Sequence, residues 1–303
     1  SRVMGILKNY CDQLEVYSVD EAFLVLNKYS QRGFIDRAGE IQTVIKKWLG
    51  VPVSIGIAKN KTLSKVANHL AKKDELGKQI VEILTKKQTE ISLKVLDVGD
   101  IWGVGSRIAY FLESQGIKSA YDLYKADPRW IRQHLGVVGE RTYRELHGEI
   151  CLPIIEKTEA KKQCRVSRSF ESYVSSFRDL EKRIVSYATR ASEKIRSDQL
   201  QTRQITVFIR SNRFNQMNTP YYGSKTYNLI SPTNDLFEII KIAIQALQQI
   251  YRSGIKYKKA GVILYGLSKS NQVKGLLDYD RESSDAIMNT MDRINGRYGS
   301  SVI

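Results

Sequence analysis

The 303-residue sequence predicts an α+β protein of several modules, and three observations carry that expectation. Charge falls in blocks: residues 1–95 hold 16 basic and 10 acidic side chains, 96–162 hold 10 of each, and 163–303 hold 22 and 12. Beyond residue 163 the chain reads strand, helix, strand, strand, helix, strand, the order of a split βαβ sandwich. The block between is helical and closely punctuated: Asp127 is an N-cap candidate, Pro128 stands at the first helical position, and Gly136 falls where that helix would end. A chain of this length has room for two or three domains with cores of their own.

The first block opens with EVYSVDEAFLVL at residues 15–26, two apolar runs interrupted by Asp20 and Glu21. Acidic residues are poor strand formers, so the pair is either the tip of a hairpin or a place where carboxylates meet a cation. A helix near 37–49, a strand at 51–58 and a helix at about 60–73 follow, which makes a mixed α/β unit. In the last of these, Leu63, Val66, Ala67 and Leu70 share one side, and Lys61, Lys65, Asn68 and Lys72 line the other. Its positive N-terminal end and its lysines suit phosphate groups; the competing reading is an ordinary solvated helix face.

In the second block, Ile101-Trp102-Gly103-Val104-Gly105 separates a short apolar segment at 93–98 from an amphipathic helix at 106–115, which carries Arg107 and is closed by Gly116-Ile117. This is the pattern of a helix-hairpin-helix, in which glycines let backbone N–H groups approach DNA phosphates. A tight turn alone would also explain a bare Gly-x-Gly. Residues 150–163 mix Pro153 with charged side chains, lack apolar period, and read as a linker centred on 153–162.

The third block has strands at 164–170, 204–210, 225–230 and 258–267 and helices at 177–197 and 235–251. Leu180, Ile184, Ala188, Ala191 and Ile195 mark one buried helix face. Arg165, Arg168, Arg203, Arg210 and Arg213 lie on or beside strands, so a basic sheet face could follow a duplex backbone without reading sequence. Tyr221-Tyr222-Gly223 reads as a buried hairpin end more readily than as a base-stacking platform.

Composition bounds the partners. Lysine and arginine exceed aspartate and glutamate by 48 to 32, a formal charge of +16 and a pI near 9.6, which favours a polyanion. No apolar run reaches the roughly 20 residues needed to span a bilayer, and the expected location is cytoplasmic. Cys11, Cys151 and Cys164 are scattered and suit reduced thiols; His69, His134 and His147 form no pair at metal spacing. The chain starts at Ser1, runs into an expected strand without a leader, and reads as one that lacks its beginning.

Together these segments resemble the Y-family translesion DNA polymerases, in particular the UmuC-like branch, the catalytic subunits of bacterial DNA polymerase V. YSVDEAF (17–23) is similar to the family's Ser-Ile-Asp-Glu-Ala-Phe motif, GIAKNKTLSKVANHLAKK (56–73) to its palm strand and helix, and DIWGVG (100–105) to its thumb hairpin. SRSFES (167–172), PYYG (220–223), LISPTND (229–235) and TMDRIN (290–295) suggest the branch; a polymerase IV-like enzyme is the second choice.

The resemblance implies a palm at 1–95, a thumb with a helix-hairpin-helix at 96–152, a linker at 153–162, a βαββαβ little finger at 163–270 and a tail at 271–303. It implies an error-prone polymerase acting in SOS-type DNA repair, adding dNTPs opposite damaged template with two Mg²⁺ ions. Asp20 and Glu21 would be metal-binding and catalytic, and Lys72 would hold the dNTP phosphates. The implied DNA contacts are Lys61, Lys65, Trp102, Gly103, Val104, Gly105, Arg107, Arg168 and Arg210. Primer–template DNA, a cleaved UmuD-like dimer and RecA are the implied partners. The clamp-binding peptide has only a degraded echo at 272–279.

The family also begins with an Asp-x-Asn-x-Phe-Tyr palm strand, bearing another metal aspartate, and then inserts fingers. Neither precedes Ser1, so the chain alone is expected to bind DNA without polymerising. A non-catalytic DNA-binding remnant and, less favoured, a helix-hairpin-helix nuclease or lyase stay open.

Overall fold

The computed structural model describes residues 2–26, 31–73, 79–156, 161–212 and 220–269, with a few positions between 288 and 299. The chain divides into two compact units, Ser1–Thr158 and Glu159–Ile303.

The first unit opens on a helix, α1 (Arg2–Leu7), where a strand was expected. Its Met4, Ile6 and Leu7 pack with Ile41 and Ile45 of α2 (Gln31–Leu49). Between them β1 (Gln13–Val16) and β2 (Ala22–Val25) form an antiparallel hairpin, with Val16 opposite Ala22. β3 (Ile55–Ala58) pairs in parallel with β4 (Ile80–Ile83), and α3 (Lys61–Lys72) crosses between them.

The helical part follows as α4 (Lys86–Lys94), a 3₁₀ turn (Val98–Asp100), α5 (Ser106–Ser114), α6 (Ala120–Lys125) and α7 (Pro128–Leu146). Leu63, Val66 and Ala67 of α3 share one core with Leu93, Leu112, Leu123, Ile131 and Leu146. The expected modules 1–95 and 96–152 therefore belong to a single compact unit. Asp127 caps α7 by accepting from the N–H groups of Arg129 (2.8 Å) and Trp130 (2.9 Å), with Pro128 first in the helix. At Gly136 the backbone breaks (φ +66°) as the glycine suggested, but a second helical stretch runs on to Leu146.

In the second unit the elements are β5 (Gln163–Val174), α8 (Phe177–Ser197), β6 (Leu200–Ser211), β7 (Tyr222–Thr233), α9 (Leu236–Ile250), β8 (Tyr257–Tyr265) and a two-residue β9 (Ser268–Lys269). The main sheet has the order β5-β8-β6-β7, every neighbour antiparallel. Each strand–helix–strand crossover thus skips one strand, which is the split βαβ arrangement expected. Leu180, Ile184, Ala188, Ala191 and Ile195 of α8, with Ile239, Ala243 and Leu247 of α9, pack on Val166, Ile205, Val207, Ile209, Val262 and Leu264. The 3.6-residue period of the helices meets the two-residue period of the strands there, and the alternate strand residues take the opposite sheet face. No described helix is long and apolar enough to cross a membrane.

Candidate metal and nucleic-acid site

The acidic pair stands at the tip of the β1–β2 hairpin, the first of the two readings its sequence allowed. The N–H groups of Tyr17 and Ser18 both donate to the Glu21 carbonyl (3.0 Å each), closing the loop. Ser18 Oγ donates to Asp20 Oδ1 at 2.5 Å. That hydrogen bond, then the Asp20 backbone N–H, and then the nearby Lys72 and Lys65 hold the Asp20 carboxyl below the usual aspartate range. Asp20 is thus an exposed, ionised oxygen donor. Glu21 is engaged: its Oε1 is 2.6 Å from Lys65 Nζ. Hard carboxylate oxygens suit Mg²⁺, and Asp20 and Glu21 fit it as two donors. Among the described residues, no group of three or more His, Cys, Asp or Glu is placed to hold a metal ion.

Helix α3 follows its predicted bounds, but its lysines do not form one solvated stripe. Lys61 is buried and ion-paired with Glu15 Oε2 at 2.5 Å, beneath the Phe23 ring. A charged residue at the helix start can turn inward because a β1 carboxylate meets it there. Nor is the N-terminus of α3 open to a phosphate. Asn60 Oδ1 accepts from Leu63 N (2.9 Å), and Glu145 Oε2 accepts from Thr62 N (3.0 Å) and Thr62 Oγ1 (2.6 Å). Glu145 is fully buried, and its Oε1 accepts from Cys151 N (3.1 Å) and Leu152 N (2.9 Å). Sequence reasoning passed over it; one glutamate in a charged helix end gives no pattern to find. Of the other lysines of α3, Lys65 sits at the acidic tip and Lys72 is exposed.

The glycine segment forms a tight turn between the 3₁₀ turn and α5. Val104 N donates to Ile101 O at 2.9 Å, and Gly103 takes φ +94°, a conformation that favours glycine. Gly105 is the N-cap of α5 with no side chain satisfying the first amides; it and Arg107 are exposed, Val104 half-buried. Trp102 points elsewhere. Its Nε1 donates to Tyr17 Oη at 3.1 Å, and its ring contacts Tyr17 (5.5 Å) and Phe23 (5.6 Å) edge-on or tilted.

In the second unit, strand alternation places Arg165 of β5, Phe208 and Arg210 of β6, Tyr222 of β7 and Lys259 of β8 on the sheet face away from α8 and α9, with Phe208 buried and Arg165 and Tyr222 exposed. Arg210 and Lys259 are register partners, and Arg165 lies 4.7 Å over the Phe208 ring. Burial, then Arg210 and Arg165, push the Lys259 ammonium below the usual lysine range. Three cations gathered this way form an anion-seeking surface, and Lys259 was missing from the sequence-derived set. Arg168 departs from it: it pairs with Ala260 on the parity of Val166, the helix side, and is exposed on the edge strand. Tyr221 is half-buried with its hydroxyl bonded to Ile250 O, while Tyr222 is 66% exposed. Arg213 and the peptide at 272–279 fall outside the described residues.

Residues 1–69 match the impB/mucB/samB family, and residues 161–277 match the impB/mucB/samB family C-terminal domain. Protein UmuC of Salmonella typhimurium is 38% identical over 310 residues, covering 100% of this chain and 73% of that protein. DNA polymerase IV 1 of Bacillus subtilis is 27% identical over 316 residues, covering 100% of this chain and 72% of its own length. Among solved structures, a Y-family DNA polymerase chimera superposes with a TM-score of 0.69 at 20% identity, over 88% of this chain and 75% of that one.

Proposed function

Since the chain belongs to the impB/mucB/samB family, the UmuC-like branch of the Y-family translesion DNA polymerases, we propose that it grips primer–template DNA and that its acidic hairpin contributes to a two-metal nucleotidyl-transfer centre. In this reading residues 1–95 act as palm, 96–152 as a thumb whose glycine turn is a helix-hairpin-helix, 153–162 as linker, 163–270 as little finger and 271–303 as tail.

The observation that carries the proposal is the exposed Asp20 carboxylate, kept ionised by Ser18 and faced by Lys72 and Lys65. Asp20 and Glu21 would hold Mg²⁺, which supplies charge to acidify the primer hydroxyl and offset that of the leaving pyrophosphate. Lys65 holds Glu21 in place now; a cation at Glu21 would free that ammonium for the triphosphate beside Lys72. The backbone amides of 103–106, with Arg107, would meet DNA phosphates, as would Arg165, Arg210 and Lys259. Lys61 and Arg168 leave the DNA-binding set, and Trp102 joins it only through its neighbours' backbone. Contacts with a cleaved UmuD-like dimer and RecA rest on the family resemblance alone.

Among the described residues, Asp20, bonded to Ser18, and the lysine-bound Glu21 offer few oxygens for two cations, so the purified chain is expected to bind DNA without extending a primer. Templated extension would contradict that. The site itself is tested by titrating dNTP onto the chain bound to primer–template. Mn²⁺ should strengthen nucleotide binding, Asp20→Asn should erase that gain, and DNA affinity measured without Mn²⁺ should stay unchanged. A Mn²⁺ effect of equal size in Asp20→Asn would oppose the assignment.

The sheet face makes its own prediction. Arg165→Ala, Arg210→Ala and Lys259→Ala should each weaken duplex binding regardless of sequence and flatten the log–log salt slope by about 0.9 for each phosphate no longer neutralised. Anisotropy across a series of salt concentrations checks it; unaltered slopes would take the face out of the interface.

A further inference from the structure

We propose that Trp102 is a positioning residue that couples the glycine turn to the acidic hairpin, so that nucleic-acid contact at the first raises cation affinity at the second. The inference deepens the reading just given and rests on it.

The loop from Tyr17 to Glu21 is closed by two backbone bonds, both accepted by the Glu21 carbonyl, and its middle is bare: Val19 is 90% exposed. Side chains anchor it. Tyr17, Phe23 and Trp102 form a triad with ring centroids 5.5–5.7 Å apart, and the indole N–H donates to the Tyr17 hydroxyl at 3.1 Å. Indole nitrogen is only a donor, so the Tyr17 hydroxyl accepts here, a bond that phenylalanine at 102 or at 17 would lose.

Trp102 is also covalently joined to Gly103, whose φ of +94° shapes the turn ahead of the uncapped start of α5. A ligand that draws the amides of 103–106 toward itself shifts Trp102, which adjoins them in the chain. The shift passes to Tyr17, and Lys65 feels it directly: its ammonium is 5.8 Å from the Tyr17 ring centroid and 2.6 Å from Glu21 Oε1. Loosening the hold of Lys65 on Glu21 leaves that carboxylate freer to meet a divalent cation. Such coupling is reciprocal, so the cation strengthens nucleic-acid binding by the same factor.

The test uses the whole chain in a Trp48→Phe/Trp130→Phe background, where Trp102 is the sole tryptophan and its emission reports on the contact. Mn²⁺ is titrated with and without primer–template. The expected result is roughly fivefold tighter Mn²⁺ binding on DNA, with quenching of Trp102 emission. In the native-tryptophan background, Trp102→Phe and Tyr17→Phe should each remove most of that factor while leaving Mn²⁺ affinity of the free protein and the urea midpoint little changed. The double variant should lose no more than either single one, since both break one contact. Full coupling retained in Trp102→Phe overturns the inference and leaves the metal assignment standing. Absence of Mn²⁺ binding in the unsubstituted chain overturns both.

Discussion

Gly56→Ala is expected to abolish stable folding of the first unit. Gly56 lies in β3 where α3 passes so close that an added Cβ would sit 2.2 Å from the Asn68 backbone nitrogen and 2.3 Å from the Ser64 carbonyl oxygen. Both are backbone atoms inside a helix and cannot rotate away as a side-chain tip can. Relief requires α3 to retreat as a body, lifting Leu63, Val66 and Ala67 out of the core they share with the helices up to α7. Overpacking commonly costs about 1–3 kcal/mol where side chains can yield, so a rigid clash of this depth should cost more than about 3 kcal/mol. Set against marginal domain stabilities, that is a large share of the total. Urea unfolding measures it, with Gly39→Ala in α2, which has nothing within 4 Å of the added methyl, expected to hold its midpoint. Equal midpoints for the two variants would contradict the packing argument.

The second large effect is expected at Glu145. Its carboxylate is fully buried and accepts from three backbone N–H groups and one hydroxyl, tying the end of α7 to the start of α3 and to residues 151–152. Glu145→Gln keeps the shape but turns one acceptor into a donor that faces another donor. Hydrogen bonds to charged groups contribute about 1.5–3 kcal/mol, and an unsatisfied buried group costs a similar amount, so a destabilisation of about 3 kcal/mol is expected. Hydrogen exchange supplies a local check: the amides of Thr62, Cys151 and Leu152 should lose protection first. Unchanged exchange at all three would refute the role given to this carboxylate.

Both effects reside in contacts that the sequence conceals, and the pattern of legibility follows from range. The βαββαβ order was readable because each long helix repeats its apolar residues at helical spacing, so α8 spans 177–197 as expected. The turn at Asp20 and Glu21 was readable because acids interrupt two apolar strands, and the cap at Asp127 because capping is local. By contrast, Lys61 finds Glu15 46 positions away, Thr62 finds Glu145 83 away and Trp102 finds Tyr17 85 away. No local period announces such partners, so a buried lysine reads as a solvated one. Helix α1 has six residues, too few to display a period. Arg168 was misplaced because only the register with β8 reveals which side of the sheet it takes. Lys259 shows the converse: alternation along β8 and pairing with Arg210 bring it beside cations distant in the chain.

Whether the acidic hairpin is a cation site is read out by terbium luminescence. Tb³⁺ seeks hard oxygen ligands as Mg²⁺ does, and Tyr17 and Trp102 stand beside the loop to sensitise it. Sensitised emission is expected from the unsubstituted chain, competed away by Mg²⁺ and lost in Asp20→Asn without a change in urea midpoint. Emission of equal strength in Asp20→Asn, still competed by Mg²⁺, would contradict a cation site there.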